Sequence, residues 1–360
     1  MNMTLDAQDE QAILFSSLQQ LRESEAPGFM VDWAALLDSS EGALQACRVG
    51  REKVWPLKDI LAVLKALPSL GRVLALTRNQ GVVNEYKGIY PKPQLGEAGQ
   101  HAAGIFLDIG GLDLRLFMGH WHWGCAIEEE TAKGKRLSLQ FFDKHGSAVH
   151  KIFSLEETDL AAWQQLVNEQ AITDKTAALP SFTPAEPVAH PAPVSPNQVA
   201  EEWRQMKDVH QFFSLIRRHR ITRFSAVQAV PEDLSREVSV DAFQQVVDAT
   251  AEQKMEIMIF VGSRGCVQIY TGKTQGIKPM RGWLNIFEEN FTLHANPDSF
   301  FRAFVTRKPQ SSGWVTSLEV FDKFGTLLLQ MYAKREENGP EQAAWTELLT
   351  HLPSVNTSVK

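Results

Sequence analysis

The stretch SLQFFDKHG at residues 138–146 recurs as SLEVFDKFG at residues 317–325, an offset of 179 residues. Three further pairs of blocks recur in the same order: GVVNEYKG (81–88) with GCVQIYTG (265–272), LDLRL (112–116) with FTLHA (291–295), and AAWQQL (161–166) with AAWTEL (343–348). Four blocks in one order indicate a duplicated unit of about 170 residues, not a solenoid of short repeats.

A proline-rich segment separates the two copies. PSFTPAEPVAHPAPVSP at residues 180–196 contains six prolines, which exclude a regular helix or a central strand. We interpret it as an exposed, partly extended linker, in which His190 is predicted to be solvated. The sequence therefore predicts an N-terminal repeat at 1–178, a linker at 179–198 and a C-terminal repeat at 199–360.

Each repeat begins with helices, continues with strands and closes with a helix. Residues 33–50 predict two short helices around a turn, and residues 201–230 are their counterpart. The strand-like runs that follow are separated by the turn signals GG, KG and HG, which are typical of an antiparallel meander. Strands that are segregated from helices predict an α+β fold: two tandem structural repeats, each a large antiparallel β-sheet with flanking helices.

Bulk composition excludes several classes of protein. The 360 residues are 44% hydrophobic and 22% charged, as in a globular protein of two ordinary domains. The formal charge of −7 does not favour nucleic-acid binding. Three cysteines without a CxxC motif indicate neither a disulfide framework nor a thiolate zinc site. Without a signal-like N-terminus or a long apolar run, the chain is predicted to be cytoplasmic and not inserted in a membrane.

One histidine stands at the start of a Phe-rich amphipathic segment. In KDVHQFFSLIRRH (207–219), Asp208 with Gln211 three residues later is typical of a capping box, which would place His210 in the first turn of a helix. A neutral imidazole held by a helix is a good iron ligand. Apolar neighbours followed by cations suit a flat apolar ligand with anionic groups. The alternative is a hydrogen-bonded helix histidine without a ligand.

Arg115 lies among apolar residues in LDLRLF (112–117). In an alternating strand it shares one face with Asp113 and Phe117, while the leucines take the other. It is either part of a solvated Arg–Asp surface or a cation over a ligand pocket. Its repeat equivalent is His294, so the two copies differ in chemistry at this position.

Two further groups of polar residues have weaker local signals. GHWHWG (119–124) places His120 and His122 on one face of a predicted strand, where they either chelate a metal or flank packed tryptophans. The predicted loop RKPQSSG (307–313) offers Arg307 and Lys308 as anion contacts or as a polar hairpin tip. The last strand supplies three candidate ligand contacts, whose alternative is a polar strand end: Gln330, Tyr332 and Arg335. Nucleotide-binding, α/β-hydrolase and zincin signatures do not occur.

Taken together, these motifs resemble the HemS/ChuS/HmuS-type haemin-degrading and haem-transport proteins of Gram-negative bacteria. The resemblance covers nearly the whole chain, including the duplication, but not the linker or the extreme N-terminus. It is carried by ALTRN (75–79), LDLRLF (112–117), SLQFFDKHG (138–146), DVHQFF (208–213), IFVGSRGCVQIYTG (259–272), GWLNIFEENFTLH (282–294), RKPQSSGWVTSLEVFD (307–322) and QMYAKR (330–335).

The resemblance implies one haem b, held as ligand or substrate in a cleft by the C-terminal half. By position in the family motifs, His210 is the proximal iron ligand and Arg115 reaches over from the N-terminal half as the distal, catalytic residue. Five more residues match family positions around the haem, some near its propionates and some on the distal side: Arg223, Lys308, Gln330, Tyr332 and Arg335.

Three functions are open at this point. As an enzyme, the protein would open the porphyrin ring with oxygen and an external reductant, which frees the iron for the cell. As a carrier, it would accept haem from an inner-membrane haem ABC importer and pass it to a separate haem oxygenase. A DNA-binding role for the haem-free form, through RRHR at 217–220, is disfavoured by the net charge.

Two positions depart from the family pattern. Some members carry a second histidine in the strand after TRN, where this chain has Asn84, so a second haem in the N-terminal half is not expected through that residue. The glycine that is common after the last-strand tyrosine is Ala333 here, which we expect to narrow that end of the pocket slightly.

Overall fold

The computed structural model describes residues 7–96, 103–132, 134–174, 178–334 and 339–355. Its helices are α1 (Ala7–Glu23), α2 (Met30–Leu36), α3 (Glu41–Ala46), α4 (Ile60–Ala66), α5 (Leu160–Gln170), α6 (Pro196–Arg204), α7 (Gln211–Arg218), α8 (Arg223–Ala229), α9 (Ala242–Glu252) and α10 (Ala343–His351). Three short 3-10 helices lie at Leu67–Leu70, Met118–His120 and Pro297–Ser299.

Eighteen strands are described. They are β1 (Val54–Pro56), β2 (Gly71–Arg78), β3 (Val82–Ile89), β4 (Gln94–Leu95), β5 (Ala103–Phe106), β6 (Asp113–Phe117), β7 (Trp123–Thr131), β8 (Gly134–Phe142), β9 (Ala148–Thr158), β10 (Ser235–Val238), β11 (Ile257–Gly262), β12 (Cys266–Gly272), β13 (Ile277–Met280), β14 (Trp283–Phe287), β15 (Phe291–Ala295), β16 (Arg302–Gln310), β17 (Gly313–Phe321) and β18 (Leu327–Ala333). All named pairs are antiparallel, so the predicted α+β fold with two large antiparallel sheets is confirmed.

Each sheet has nine strands and takes three of them from the other half of the chain. The first sheet has the order β1-β7-β8-β9-β2-β3-β15-β14-β13, and the second has the order β10-β16-β17-β18-β11-β12-β6-β5-β4. The joints are β3 with β15 and β12 with β6. The exchange places Arg115, from the N-terminal half, in a sheet that consists mainly of C-terminal strands.

The two sheets pack against each other through one shared apolar core. That core takes Val73 and Ala75 from one sheet and Ile257 and Ile259 from the other, all fully buried. Polar contacts also cross between the sheets. The Gln268 side-chain amide donates to the Ala75 backbone oxygen at 3.3 Å. The opposite face of each sheet is therefore left for helices or ligands.

Helices α6, α7 and α8 cover one end of the outer face of the second sheet. Their apolar side chains form a second buried cluster with Phe304 and Phe321 of that sheet. Trp203 of α6 and Phe212 of α7 meet edge to face, with ring centroids 4.6 Å apart. The sequence pattern over residues 201–230 predicts two short helices, whereas the structure has three helices in this region. In the N-terminal half, α2 and α3 confirm the predicted pair of short helices.

The proline-rich linker is extended, but its histidine is not solvated. Residues 178–194 contain no helix or strand, and α6 begins at Pro196, inside the predicted linker. Nδ1 of His190 lies 2.7 Å from the Thr222 hydroxyl, and Nε2 lies 2.6 Å from the Phe324 backbone oxygen. The expectation of a solvated His190 is therefore wrong, because the imidazole holds the linker against the turn at the repeated DKFG block.

Candidate functional site

A row of side chains crosses the outer face of the second sheet. Directly paired residues of neighbouring strands point to the same face. The register pairs Glu319 with Gln330, Gln330 with Phe260, Phe260 with Ile269 and Ile269 with Asp113. One face therefore runs from β17 to β6, and the three strand spacings between β18 and β6 make its open part roughly 14 Å wide.

Arg115 lies at the β6 end of this face. It pairs with Val267 and forms an ion pair with Asp113, as the predicted alternation requires. The Arg115 side chain is 35% exposed, whereas that of Asp113 is 2% exposed. Burial raises the pKa of Asp113, and the Arg115 guanidinium opposes that change. The buried carboxylate anchors Arg115 while the guanidinium remains accessible from the open face.

The middle of the face is apolar and partly open. Phe260 and Tyr332 meet with ring centroids 5.0 Å apart, and both are half-buried. Met258 and Val267 on the neighbouring strands are also half-buried, and Phe117 is 39% exposed. These side chains form a floor that no helix of the described chain fully covers, so a flat apolar ligand has a surface to lie on.

A buried carboxylate organises the covered end of the face. Glu319 is fully buried and accepts hydrogen bonds from Lys308 at 2.7 Å, from Arg223 at 2.9 and 3.1 Å and from Gln330 at 3.0 Å. The Gln330 amide also donates to the Tyr332 hydroxyl at 2.8 Å. Four of the residues predicted from sequence thus belong to one network, and its centre, Glu319, was not among the predicted residues.

The charges of this network do not cancel. Burial raises the pKa of Glu319, but Arg223 and Lys308 outweigh it and hold the pKa at about 2. Burial, together with Arg223, lowers the pKa of Lys308 to about 8 although Glu319 opposes this change. Two cations face one carboxylate, so the cluster carries one positive charge in excess. A buried excess charge favours an incoming anion.

Lys308 is not in a loop, as the sequence predicted, but in the interior of β16. It is 3% exposed, and its ammonium lies 5.0 Å from the centre of the Phe212 ring. The hairpin tip lies farther on, between Gln310 and Gly313. Arg307 points away from Lys308 and contacts the Trp314 ring at 4.9 Å.

Two further predictions concern residues at the end of the last strand, Arg335 and Ala333. Arg335 lies outside the described residues. Ala333 is 1% exposed and belongs to the core between the sheets, so the expectation that it narrows the pocket is wrong. It faces away from Gln330 and Tyr332 because side chains alternate along β18.

His210 stands at the N-terminus of α7 with its ring in solvent. The helix begins at Gln211, so His210 is the N-cap residue, and the predicted capping box does not form. The Gln211 side chain instead accepts from the Lys207 backbone N–H at 2.8 Å. The His210 side chain is 83% exposed, and its Nδ1 lies 2.7 Å from Asp208 Oδ1. Its Nε2 has no partner among the described residues.

Helix α7 brings His210 to the buried cluster. Two residues after His210, the Phe212 ring lies 4.9 Å from the Arg223 guanidinium carbon. The next residue, Phe213, is 49% exposed and lies 5.6 Å from the same guanidinium. The turn that carries His210 is therefore connected, through Phe212 and Phe213, to the cation cluster at the covered end of the face.

The remaining sequence candidates lie elsewhere. His120 is in a 3-10 helix and His122 precedes β7, so they do not share a strand face as predicted, whereas Trp121 and Trp123 are largely buried. Among the described residues there is no cluster of three or more His, Cys, Asp or Glu that could hold a metal ion. Asn84 is fully buried between the sheets, where its carbonyl accepts from Gln268 at 2.8 Å.

Comparison with known proteins decides the family. A family model described as the haemin-degrading HemS.ChuX domain matches residues 39–170 and, a second time, residues 220–352. The chain belongs to this family. The double match also confirms that the sequence repeat is a repeat of the family domain.

Individual relatives cover nearly the whole chain. The hemin transport protein HmuS of Yersinia pestis is 40% identical over 92% of this chain and 94% of its own. The heme degrading enzyme ChuS of Escherichia coli O157:H7 is 38% identical, with a TM-score of 0.87 over 95% of this chain and 99% of its own. Holo-PhuS, a heme-binding protein of Pseudomonas aeruginosa, is 35% identical, with a TM-score of 0.90 over 96% of this chain and 99% of its own. The HemS.ChuX family thus includes proteins named for haem transport, degradation and binding.

Proposed function

We propose that this protein binds one haem b on the outer face of the second sheet and opens the porphyrin ring with oxygen and an external reductant to release iron. The observation that carries the proposal is the exposed His210 imidazole at the start of α7, a helix whose Phe212 and Phe213 contact Arg223 of the cation cluster with excess charge. Bound haem would supply the iron and the ring that is oxidised. His210 would be its proximal ligand and Arg115 its distal residue.

The floor suits the shape of a porphyrin. Apolar side chains of β11, β12 and β18 would contact the ring, while Phe213 would lie against its edge near His210. The described strands of this sheet contain no histidine, and His294, the repeat equivalent of Arg115, lies in the other sheet. A single axial protein ligand, from His210, is therefore expected, and a haemin titration should end at one equivalent.

The propionates would neutralise the excess charge of the Glu319 cluster. Arg223 is 16% exposed and is the cation of that cluster nearest to solvent. Haemin should therefore bind about 10- to 100-fold more tightly than its dimethyl ester at pH 7, the range expected for a hydrogen bond to a charged group. This preference should fall as pH rises through the Lys308 pKa of about 8, because deprotonation removes the excess charge. Titrations of both ligands from pH 6.5 to 9.5 check this, and equal affinities would place the propionates elsewhere.

Arg115 would order water and oxygen on the distal side of the ring. Replacing Arg115 by alanine should leave haemin affinity within a few-fold and slow ring opening about 10-fold, the equivalent of about 1.5 kcal/mol for one charge-assisted hydrogen bond. The assay is decay of the Soret band with haemin and reductant in air, with catalase present to remove free peroxide. Arg264, which is 43% exposed and outside this face, is the matched control. Equal losses of binding and turnover would make Arg115 an anchoring residue.

A second candidate function is haem delivery, and the exposure of His210 favours it. Because the proximal histidine is 83% exposed, the haem bound to it would be accessible to an acceptor protein. In this role the protein would act in the cytoplasm between an inner-membrane haem ABC importer and a separate haem oxygenase. Stopped-flow transfer of haem to an oxygenase distinguishes the two functions. Transfer faster than spontaneous dissociation supports delivery, and a Soret band that persists in the turnover assay opposes degradation. No helix among the described residues is long and apolar enough to span a membrane.

A further inference from the structure

One carboxylate oxygen holds both the backbone and the ring of His210. Asp208 Oδ1 accepts a hydrogen bond from the His210 backbone N–H at 2.7 Å and lies 2.7 Å from the ring Nδ1. A carboxylate is an acceptor only, so this contact places the imidazole proton on Nδ1. The lone pair of the neutral ring is then on Nε2, which points into solvent.

This contact distinguishes His210 from the other described histidines. His219 also meets a carboxylate, but through Nε2, at 3.2 Å from Glu202. The Nδ1 atoms of five others face neutral oxygens: Thr183 for His145, Thr77 for His150, Thr222 for His190, Asn285 for His294 and Glu347, through its backbone, for His351. Within the described chain, His210 alone combines a carboxylate at Nδ1 with a ring that is mostly exposed.

We propose that Asp208 is a positioning residue that fixes the tautomer of His210 and strengthens Nε2 as a donor to haem iron; this rests on the proposed function, in which His210 is the proximal ligand. A carboxylate on the outer nitrogen of a metal-bound imidazole orients the ring and raises its basicity. A stronger axial donor stabilises the ferric state relative to the ferrous state. Asp208 would thereby set the reduction potential of the bound haem without touching it.

The test replaces Asp208 by asparagine, which keeps an oxygen that can accept from both N–H groups and removes only the charge. In the ferrous haem complex, the iron–imidazole stretching band of the Asp208→Asn protein should move to lower frequency in resonance Raman spectra. The ferric/ferrous midpoint potential should become more positive, and haem affinity should fall by about 10-fold, the low end of the range for an outer-shell partner. Asp208→Ala, which removes the acceptor as well, should show larger changes.

Asp233→Asn is the matched control, because Asp233 is also exposed, at 53%, but pairs with Arg204 instead of a histidine. Its spectra and potential should equal those of the wild type. An Asp208→Asn protein with an unshifted band and potential would overturn the proposal and leave Asp208 as a cap of the turn before α7. If His210→Ala keeps the iron–imidazole band, the ligand assignment itself is wrong, an outcome that does not depend on Asp208.

Discussion

Replacing His210 by alanine should weaken haemin binding more than about 100-fold, because losing a ligand costs more than the 10- to 100-fold typical of its outer-shell partners. The floor and the cation cluster would remain, so residual binding should persist with a shifted Soret band and a changed spin state. The measurement is a haemin titration followed through the Soret region, wild type beside His210→Ala. The wild type should give a sharp endpoint at one equivalent.

Two controls make this result specific. His351→Ala removes another exposed histidine, at the end of α10, and should titrate like the wild type. Free imidazole should restore the wild-type spectrum of His210→Ala, because an 83% exposed side chain leaves an accessible space when it is removed. Unchanged spectra in His210→Ala would identify a different iron ligand. An endpoint at two equivalents would show that the N-terminal half binds haem although Asn84 is buried.

The sequence predicts the duplication, the fold class and the face of Arg115, because these depend on local order and on alternation within one strand. It does not predict the exchange of strands between the sheets, since alternation does not say which sheet edge a strand joins. The prediction that Lys308 lies in a loop was wrong for a related reason. Pro309 and the serines after it are typical of a turn. However, β16 continues past Thr306, its last residue paired with β10, and among the described strands Pro309 pairs only with Trp314 of β17. A proline is tolerated there because the other edge of β16 has no described neighbouring strand that needs its N–H.

Glu319 was missed although it lies in the stretch that reveals the duplication. Its repeat equivalent is Gln140, in SLQFFDKHG, so the two copies differ in charge at that position. The same kind of difference, Arg115 against His294, did single out a candidate residue. In the N-terminal half the buried carboxylate comes from a helix instead, where Glu41 pairs with Lys151 and Arg78. Each half therefore buries a carboxylate between a lysine and an arginine, but from different elements, and only the contacts show it.

Replacing Glu319 by glutamine should destabilise the protein by about 3–5 kcal/mol at pH 7, the cost of breaking a buried ion pair and leaving its partner uncompensated. The pKa of Glu319 gives a similar magnitude, because a fall from 4.5 to about 2 corresponds to roughly 3 kcal/mol. Urea unfolding at constant protein concentration measures the loss. Glu237→Gln is the control: that pair with Arg302 is more exposed, at 20% and 26%, and should cost about 1 kcal/mol or less.

The pH dependence separates a charge effect from a packing effect. The carboxylate contribution is complete above the unfolded-state pKa of 4.5 and is lost as pH falls toward about 2, so wild-type stability should decline more steeply over that range than the stability of Glu319→Gln. The decline that remains in Glu319→Gln comes from other carboxyls with a lowered pKa, such as Glu41. Adding Lys308→Met to Glu319→Gln should recover part of the lost stability, because the buried ammonium that needed the carboxylate is then gone. Losses that simply add would mean that Glu319 stabilises the protein through its shape and not through its charge.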